Sequence, residues 1–196
     1  VATEILRPVD YELAAALDEE SSRRYIAMTC HTDNPEAEKA YLHFVETIEP
    51  QLKPRQFQLA KLYLEHPLRA QLPQKRYEVF DRNTRVHVEL FREENIPLET
   101  EEARLCQQYQ KLAGSLTVQF RGEEKTLVQM GRYLEEPDRP LRQEAWELVS
   151  RRRLQEAEKF DEQFELLLKI REQIARNAGF ENYLQYIFRK MGRFDY

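Results

Sequence analysis

Metal chemistry needs ligands at set spacings, and the histidines of this sequence do not provide them. The chain has four, His31, His43, His66 and His87. No pair has the His-Glu-x-x-His spacing, which puts two zinc ligands one turn apart on a helix. His43 and Glu46 lie three residues apart and could share a metal, but two ligands do not complete a site. We therefore predict no metal ligand in this chain.

Two other signatures of catalysis are also absent from the sequence. There is no GxxxxGK phosphate loop and no GxSxG nucleophile motif. Cys30 and Cys106 are far apart and have no CxxC spacing, so we expect two buried free thiols in a reducing compartment, with a disulfide between them as the alternative. We predict no catalytic residue in this chain.

A run of three arginines, Arg151 to Arg153, is the strongest basic cluster in the sequence. Such a cluster can bind anions or nucleic acid. Acidic residues at helical spacing, Glu147 and Glu156, instead favour a solvated face with i,i+4 ion pairs. The net charge is -5, with 30 basic and 35 acidic residues, so we expect no nucleic-acid partner.

The size and composition suit one helical domain over residues 1–196. Hydrophobic residues make up 41% of the 196 residues, enough for an ordinary core, and only five are glycine, which favours helices. No apolar run approaches the roughly 18 residues of a membrane span, and no signal peptide is visible. We expect a cytoplasmic protein with no membrane partner.

Several helices can be placed from local signals. Asn34 followed by Pro35 predicts a helix start, because Asn caps the first turn and Pro fits the first helical position. An apolar stripe follows it at Tyr41, Phe44, Val45 and Ile48. Pro50 and Pro54 predict that this helix breaks or kinks.

The second half of the chain contains a hairpin and a long helix. Leu116, Val118 and Phe120 alternate with polar residues, which predicts a strand, and Gly122 predicts the turn of a β-hairpin at about 115–128. No Gly or Pro interrupts the helical pattern from Leu141 to Ala178, so one spine helix is predicted at about 139–178, with Gly179 just after its end. The predicted fold class is mainly α, a multi-helix domain with this hairpin.

Three sequence blocks follow one another in the second half of the chain. The hairpin pattern FxGxExTL and the following DRxxRxxA are found at Phe120, Gly122, Glu124, Thr126 and Leu127, and at Asp138, Arg139, Arg142 and Ala145. The third block closes the chain, with Arg171, Ile174, Ala175, Gly179, Phe180, Asn182, Tyr183, Arg189, Met191, Arg193, Asp195 and Tyr196. This region, from about Gln108 to Tyr196, resembles oligoendopeptidase F-type metallopeptidases, which are similar to thimet-type oligopeptidases. The third block departs from the family pattern at Lys190, which takes the place of the Arg just before Met, so that the Arg falls one position earlier.

The resemblance implies that the chain is the N-terminal lobe of a larger zinc peptidase. Members of the family cut short peptides in a channel between helical lobes, with zinc held by a HExxH helix. The match covers roughly the N-terminal third to two-fifths of such an enzyme, so the resemblance implies that zinc and the catalytic residues lie beyond Tyr196. We expect the full-length enzyme to be a zinc metalloendopeptidase, and this segment alone to be inactive and to hold no cofactor.

Within this interpretation the segment forms one wall of the channel that admits short peptides. Tyr186, Arg189 and Arg193 are our candidates for side chains that face the channel. We expect the missing catalytic lobe to dock near Phe180–Tyr196, where apolar surface should be exposed, and along one face of Phe160–Ile174. The alternative is a helical scaffold or adaptor that is not an enzyme and binds a protein partner through its long helix.

Overall fold

The computed structural model describes residues 8–194, and most of that range is helical. The α-helices are α1 (Pro8–Cys30), α2 (Pro35–His43), α3 (Glu49–Glu65), α4 (Gln74–Leu90), α5 (Ile96–Ser115), α6 (Leu127–Met130), α7 (Arg139–Leu154), α8 (Ala157–Asn177) and α9 (Tyr183–Lys190). A π-helical turn covers Phe44–Ile48, and 3-10 turns cover Pro67–Gln71, Glu93–Asn95 and Gly131–Leu134. The predicted mainly α class is confirmed. Asp195 and Tyr196 lie outside the described residues.

The start of α2 is the one that the sequence predicts. The side-chain oxygen of Asn34 accepts hydrogen bonds from the backbone N–H groups of Glu36, at 3.0 Å, and Ala37, at 3.3 Å. Pro50 does not end the helical path. It follows the π-helical turn, in which the N–H of Glu49 donates to the carbonyl of Phe44, and it enters the first turn of α3. Pro54 lies inside α3, so the helix continues where a break or kink was predicted.

The hairpin packs on α7 and forms the smaller of two hydrophobic cores found among the described residues. Strands β1 (Thr117–Phe120) and β2 (Glu123–Thr126) pair antiparallel, with Thr117 opposite Thr126. Arg121 and Gly122 both have positive φ, as a two-residue hairpin turn of type I′ requires. Val118 and Phe120 are buried against Met130 and Ala145, which explains their alternation with polar residues. The predicted hairpin is confirmed.

The predicted spine is two helices, because a turn at Gln155 and Glu156 separates α7 from α8. Glu156 leaves the helical region, with φ -109° and ψ 10°, and its carboxylate accepts hydrogen bonds from Arg152 and Lys159. The prediction of one uninterrupted helix is therefore wrong at this point. The break lets α7 pack on the hairpin while α8 packs on α5 and α9, so each helix serves a different core.

The larger core joins α4, α8 and α9. Its buried members are Val86, Leu90, Ile174, Ala175, Ala178 and Tyr186. The end of α8 is closed by Gly179, whose φ is +87°, with the N–H of Phe180 donating to the carbonyl of Ala175 at 2.9 Å. This pattern is a Schellman motif, and it confirms the predicted role of Gly179 after the helix end. The chain then reverses, and α9 packs back against α8 and α4.

The cysteines differ from the prediction in one respect. Both are free thiols, as expected, and no disulfide joins them. Cys30, however, is exposed, because it lies at the end of α1 rather than in a core, whereas Cys106 is half-buried. Burial raises the pKa of the Cys106 thiol.

Among the helices of residues 8–194, none has the length and apolar character needed to span a membrane.

Replacing Gly179 with Ala tests the end of α8. No atom lies within 4 Å of the Cβ that would be added, so the cost is purely the left-handed backbone, about 1–2 kcal/mol. We expect the melting temperature to fall by about 2–8 °C.

Gly131→Ala is the matched control for that substitution. Gly131 also has open space around it but has a helical φ of -54°, so alanine there should be neutral or stabilise by up to about 1 kcal/mol. Equal melting temperatures for the two variants would contradict this account of the helix end.

Candidate functional site

Two adjoining clefts run along α4 and α9. The larger has a cavity volume of about 900 Å³ and the smaller about 280 Å³. They share three lining residues, Val86, Arg189 and Phe194, so we treat them as one feature and call it the trench. Side chains from α3, the turn at Pro67–Gln71, α4 and α9 line the larger cleft. The smaller cleft continues between α4 and α9 toward α3 and α5.

One ion-pair cluster fixes the floor of the larger cleft. The guanidinium of Arg69 donates two hydrogen bonds to the carboxylate of Asp81, at 2.5 and 2.7 Å, and a third to the carbonyl of Leu64, at 3.1 Å. Arg85 lies 2.8 Å from the same carboxylate. The hydrogen bond from Arg69 holds the pKa of Asp81 below its usual range. The cluster ties the Pro67–Gln71 turn to α4.

Two further arginines flank an aromatic ring where the clefts meet. The guanidinium groups of Arg82 and Arg189 lie 4.8 and 5.0 Å from the centre of the Phe194 ring. Arg189 also pairs with Glu89 at 2.8 Å, and both side chains of that pair are about half exposed. Their ion pair is therefore weak and exchangeable. Arg82 has no carboxylate partner among the residues that the structure describes.

The smaller cleft contains a mixed cluster of titratable groups. Glu99 pairs with Lys53 at 2.6 Å and lies 3.5 Å from Lys190. Burial raises the pKa of Tyr186, so its hydroxyl is protonated and neutral around pH 7. Burial alone would lower the pKa of the Lys190 ammonium, but the nearby Tyr186 and Glu99 raise it overall, so Lys190 is a cation. Burial lowers the pKa of His87, which favours its neutral imidazole.

The three residues that the sequence suggested for the channel wall do not all line the trench. Tyr186 is buried in the larger core but lines the smaller cleft, and Arg189 lines both clefts. Arg193 is not among the residues that line either cleft, and its guanidinium lies 5.6 Å from the centre of the Phe188 ring. Sequence reasoning missed the trench residues of α4. Their signal is the i,i+4 spacing of Glu78 with Arg82 and of Asp81 with Arg85.

The arginine run on α7 has the ion pairs that its spacing predicts. Arg152 lies 3.0 Å from Glu156, and Arg151 lies 3.4 Å from Glu147, each four residues away. Both pairs are on or near the surface. Two of the three cationic groups thus have acidic partners, Glu147 on α7 and Glu156 in the turn that follows it.

The described residues do not fit a zinc site. No group of three or more His, Cys, Asp or Glu side chains in residues 8–194 is placed to hold a metal ion. The HExxH pattern does not occur in the 196-residue sequence. No chemical step through zinc is therefore derived for the residues of this chain.

Solved structures decide the fold relationship. A protein described as an oligoendopeptidase F from Bacillus anthracis str. Ames superposes with a TM-score of 0.81 and 24% identity, over 88% of this chain and 32% of that one. A second structure described as an oligoendopeptidase F superposes with a TM-score of 0.78 and 28% identity, over 94% of this chain and 34% of that one. This chain has the fold of part of an oligoendopeptidase F.

A third structure extends the comparison. PZ peptidase A, solved with an inhibitor, matches with a TM-score of 0.79 and 26% identity, over 98% of this chain and 36% of that one. These matches confirm the resemblance seen in the sequence. The chain spans about a third of the length of each of these three structures. No protein-family model and no curated protein matches it.

Asp81→Asn tests the ion-pair cluster on the trench floor. The substitution removes the charge that Arg69 and Arg85 share, so we expect the free energy of unfolding at pH 7 to fall by about 1–2 kcal/mol. The folded-state pKa of Asp81 is lowered, so its stabilising contribution is fully present above the unfolded-state value of about 3.9 and is lost as the pH falls from there through the lower folded-state pKa.

Urea titrations of wild type and variant at pH 7 and below pH 4 measure this difference. The two proteins should differ at pH 7 and converge in acid. Asp161→Asn, at an exposed position on α8, is the matched control and should leave stability unchanged within about 0.5 kcal/mol. A difference that grows as the pH falls would contradict the assignment.

Proposed function

We propose that this chain is the N-terminal, channel-forming lobe of a zinc-dependent oligoendopeptidase that hydrolyses short peptides. The observation that carries the proposal is the structural match to peptidases over 88–98% of this chain, combined with coverage of only 32–36% of theirs. The three sequence blocks between Phe120 and Tyr196 support the same relationship. Zinc, its ligands and the catalytic groups would then come from the remainder of a longer protein.

In this proposal the chain contributes shape and charge rather than bond cleavage. The trench supplies a concave surface with exposed polar donors, and Tyr186 and Arg189 are its members among our channel candidates. Arg193 would have to face a different part of the channel. A narrow space between two helical lobes admits short, unfolded peptides and excludes folded proteins. Such a protein would act on peptides in solution, which fits our expectation of a cytoplasmic location.

The proposed docking surface for the catalytic lobe is the outer face of α9. Leu184 and Met191, seven residues apart and so on one face of this helical segment, are 61% and 56% exposed. Phe180 and Tyr183, by contrast, pack inward against the larger core. Phe164 and Leu168 form a second exposed apolar pair on α8, at i,i+4 spacing. These four side chains are the apolar surface that a second lobe would cover.

Peptide hydrolysis by the full reading frame tests the proposed function. We expect the full-length protein to contain a HExxH motif beyond Tyr196, to bind one zinc ion by mass spectrometry and to cleave a short quenched-fluorescent peptide. The purified 196-residue chain should neither bind zinc nor cleave the peptide. A longer protein in which the HExxH Glu is changed to Gln is the control for contaminating peptidases.

Two results would contradict the proposal. A reading frame that stops at Tyr196, with no peptidase activity, would favour the scaffold or adaptor alternative. Hydrolysis by the pure 196-residue chain would instead show that the chemistry lies in this segment.

Charged substitutions at Leu184 and Met191 test the docking surface in the full-length protein. Leu184→Glu with Met191→Glu should change the stability of the isolated chain by less than about 1 kcal/mol, because both side chains are largely exposed. In the longer protein the same pair would place charges in an apolar interface, and we expect a loss of at least tenfold in kcat/KM and a lower melting temperature.

Val128→Glu is the control for a charge introduced at an exposed apolar position. Val128 lies beside the hairpin and is 89% exposed, away from the proposed docking surface. Unchanged activity in the Leu184 and Met191 variant, or an equal loss in the Val128 variant, would rule out this surface as the lobe contact.

A further inference from the structure

The trench has the opposite charge to the chain as a whole. The described residues that line its two clefts include seven arginines and lysines, Arg69, Arg82, Arg85, Arg189, Lys53, Arg92 and Lys190. Only three carboxylates line it, those of Glu78, Asp81 and Glu99. The whole chain carries a net charge of -5. A concave surface with an excess of one sign of charge concentrates its field and attracts ligands of the other sign.

Several of these cations have donors to spare. Arg69 already donates hydrogen bonds to Asp81 and Leu64, so its role is to stabilise the floor of the larger cleft. Arg85 shares Asp81 with Arg69 and has a side chain that is 64% exposed. Arg82 is exposed, and the ion pair of Arg189 is a half-exposed surface pair. Displacing a surface ion pair of this kind costs little, because both partners are already partly solvated.

The available cations lie on two sides of an apolar surface. Arg82 and Arg85 project from α4, whereas Arg189 and Lys190 belong to α9, and Phe194 lies where the clefts meet. Three tyrosines also line the clefts, but Tyr63 and Tyr186 are buried, so half-buried Tyr77 adds the accessible aromatic surface. A ligand that fits must therefore carry separated negative charges on a partly apolar backbone. The volume of the larger cleft, about 900 Å³, is in the range of ligand sites.

We propose that the trench binds a short acidic peptide segment in an extended conformation. Its carboxylates would pair with Arg82, Arg85 and Arg189, and its apolar groups would contact Phe194. Planar guanidinium groups match carboxylates with two parallel hydrogen bonds, as Arg69 and Asp81 already show within the cleft.

A nucleic acid is a poorer match for this surface than a peptide. A nucleic-acid backbone carries closely spaced phosphates along its whole length. The carboxylates of Glu78, Asp81 and Glu99 interrupt the cations of the trench and would repel such a ligand. A peptide can place its acidic side chains opposite the cations and its neutral residues opposite the carboxylates.

Fluorescence anisotropy of labelled peptides tests the proposal on the 196-residue chain. The probe is a hexapeptide of alternating Glu and apolar residues, compared with the same peptide carrying Gln for Glu. We expect the Glu peptide to bind at least tenfold more tightly, and its affinity to fall as salt is raised, because surface charge pairing is screened. A six-nucleotide single-stranded DNA of the same label is the third ligand and should bind more weakly than the Glu peptide.

Charge-matched variants assign the binding to the trench. Arg82→Gln alone breaks no ion pair among the described residues, and it should weaken binding of the Glu peptide by about threefold. Arg82→Gln combined with Arg189→Gln should weaken that binding at least tenfold. Arg153→Gln removes an equal charge from an exposed position on α7 and should have no effect. Circular dichroism confirms that each variant is folded.

Three results would overturn the acidic-peptide assignment. These are equal binding of the Glu and Gln peptides, equal weakening by the Arg82 and Arg153 variants, and tighter binding of the oligonucleotide than of the Glu peptide. The proposal does not depend on the peptidase assignment, because binding is measured without turnover. Failure of the binding test would leave the hydrolysis test of the full-length protein unaffected.

Discussion

The C-terminal end of α8 is held by polar side chains from a loop far earlier in the chain. Arg92 donates hydrogen bonds to the carbonyls of Asn177 and Ala178, across 85 and 86 residues. The side-chain amide of buried Asn95 donates to the carbonyl of Ile174 at 3.0 Å and accepts from Asn177 at 2.7 Å. Carbonyls at a buried helix end must find donors, and these two side chains supply them. The direction of everything after α8 depends on this arrangement.

With the end of α8 fixed, Gly179 turns the chain and α9 returns against α4. The inner face of α9 places Tyr186 in the larger core and brings Arg189 and Lys190 to the side of α4. The trench is therefore a product of the same packing that builds the core. Leu184 on α9 and Met191, the residue that caps its end, remain exposed. One short helix thus links the core, the charged trench and the proposed contact with a second lobe.

Local signals in the sequence predict the parts of this fold that depend on local chemistry. Asn34 before Pro35, the alternation at Val118 and Phe120, and Gly179 each act within a few residues, and the structure confirms all three. The break at Glu156 is different, because no Gly or Pro marks it. It follows from tertiary packing, since α7 packs on the hairpin and α8 packs on α5 and α9. The trench could not be predicted either, since Arg82 and Arg189 meet across more than 100 residues of sequence.

A structure of the full-length protein bound to a non-cleavable peptide tests most directly whether this chain is one lobe of a peptidase. The quantities to measure are the exposed fractions of Leu184 and Met191, now 61% and 56%, and the distance from the peptide to the trench residues. Our account predicts that both side chains become buried against a zinc-containing lobe and that the peptide lies in the space between that lobe and this chain. A structure in which Leu184 and Met191 are still exposed and the peptide does not contact this chain would contradict it.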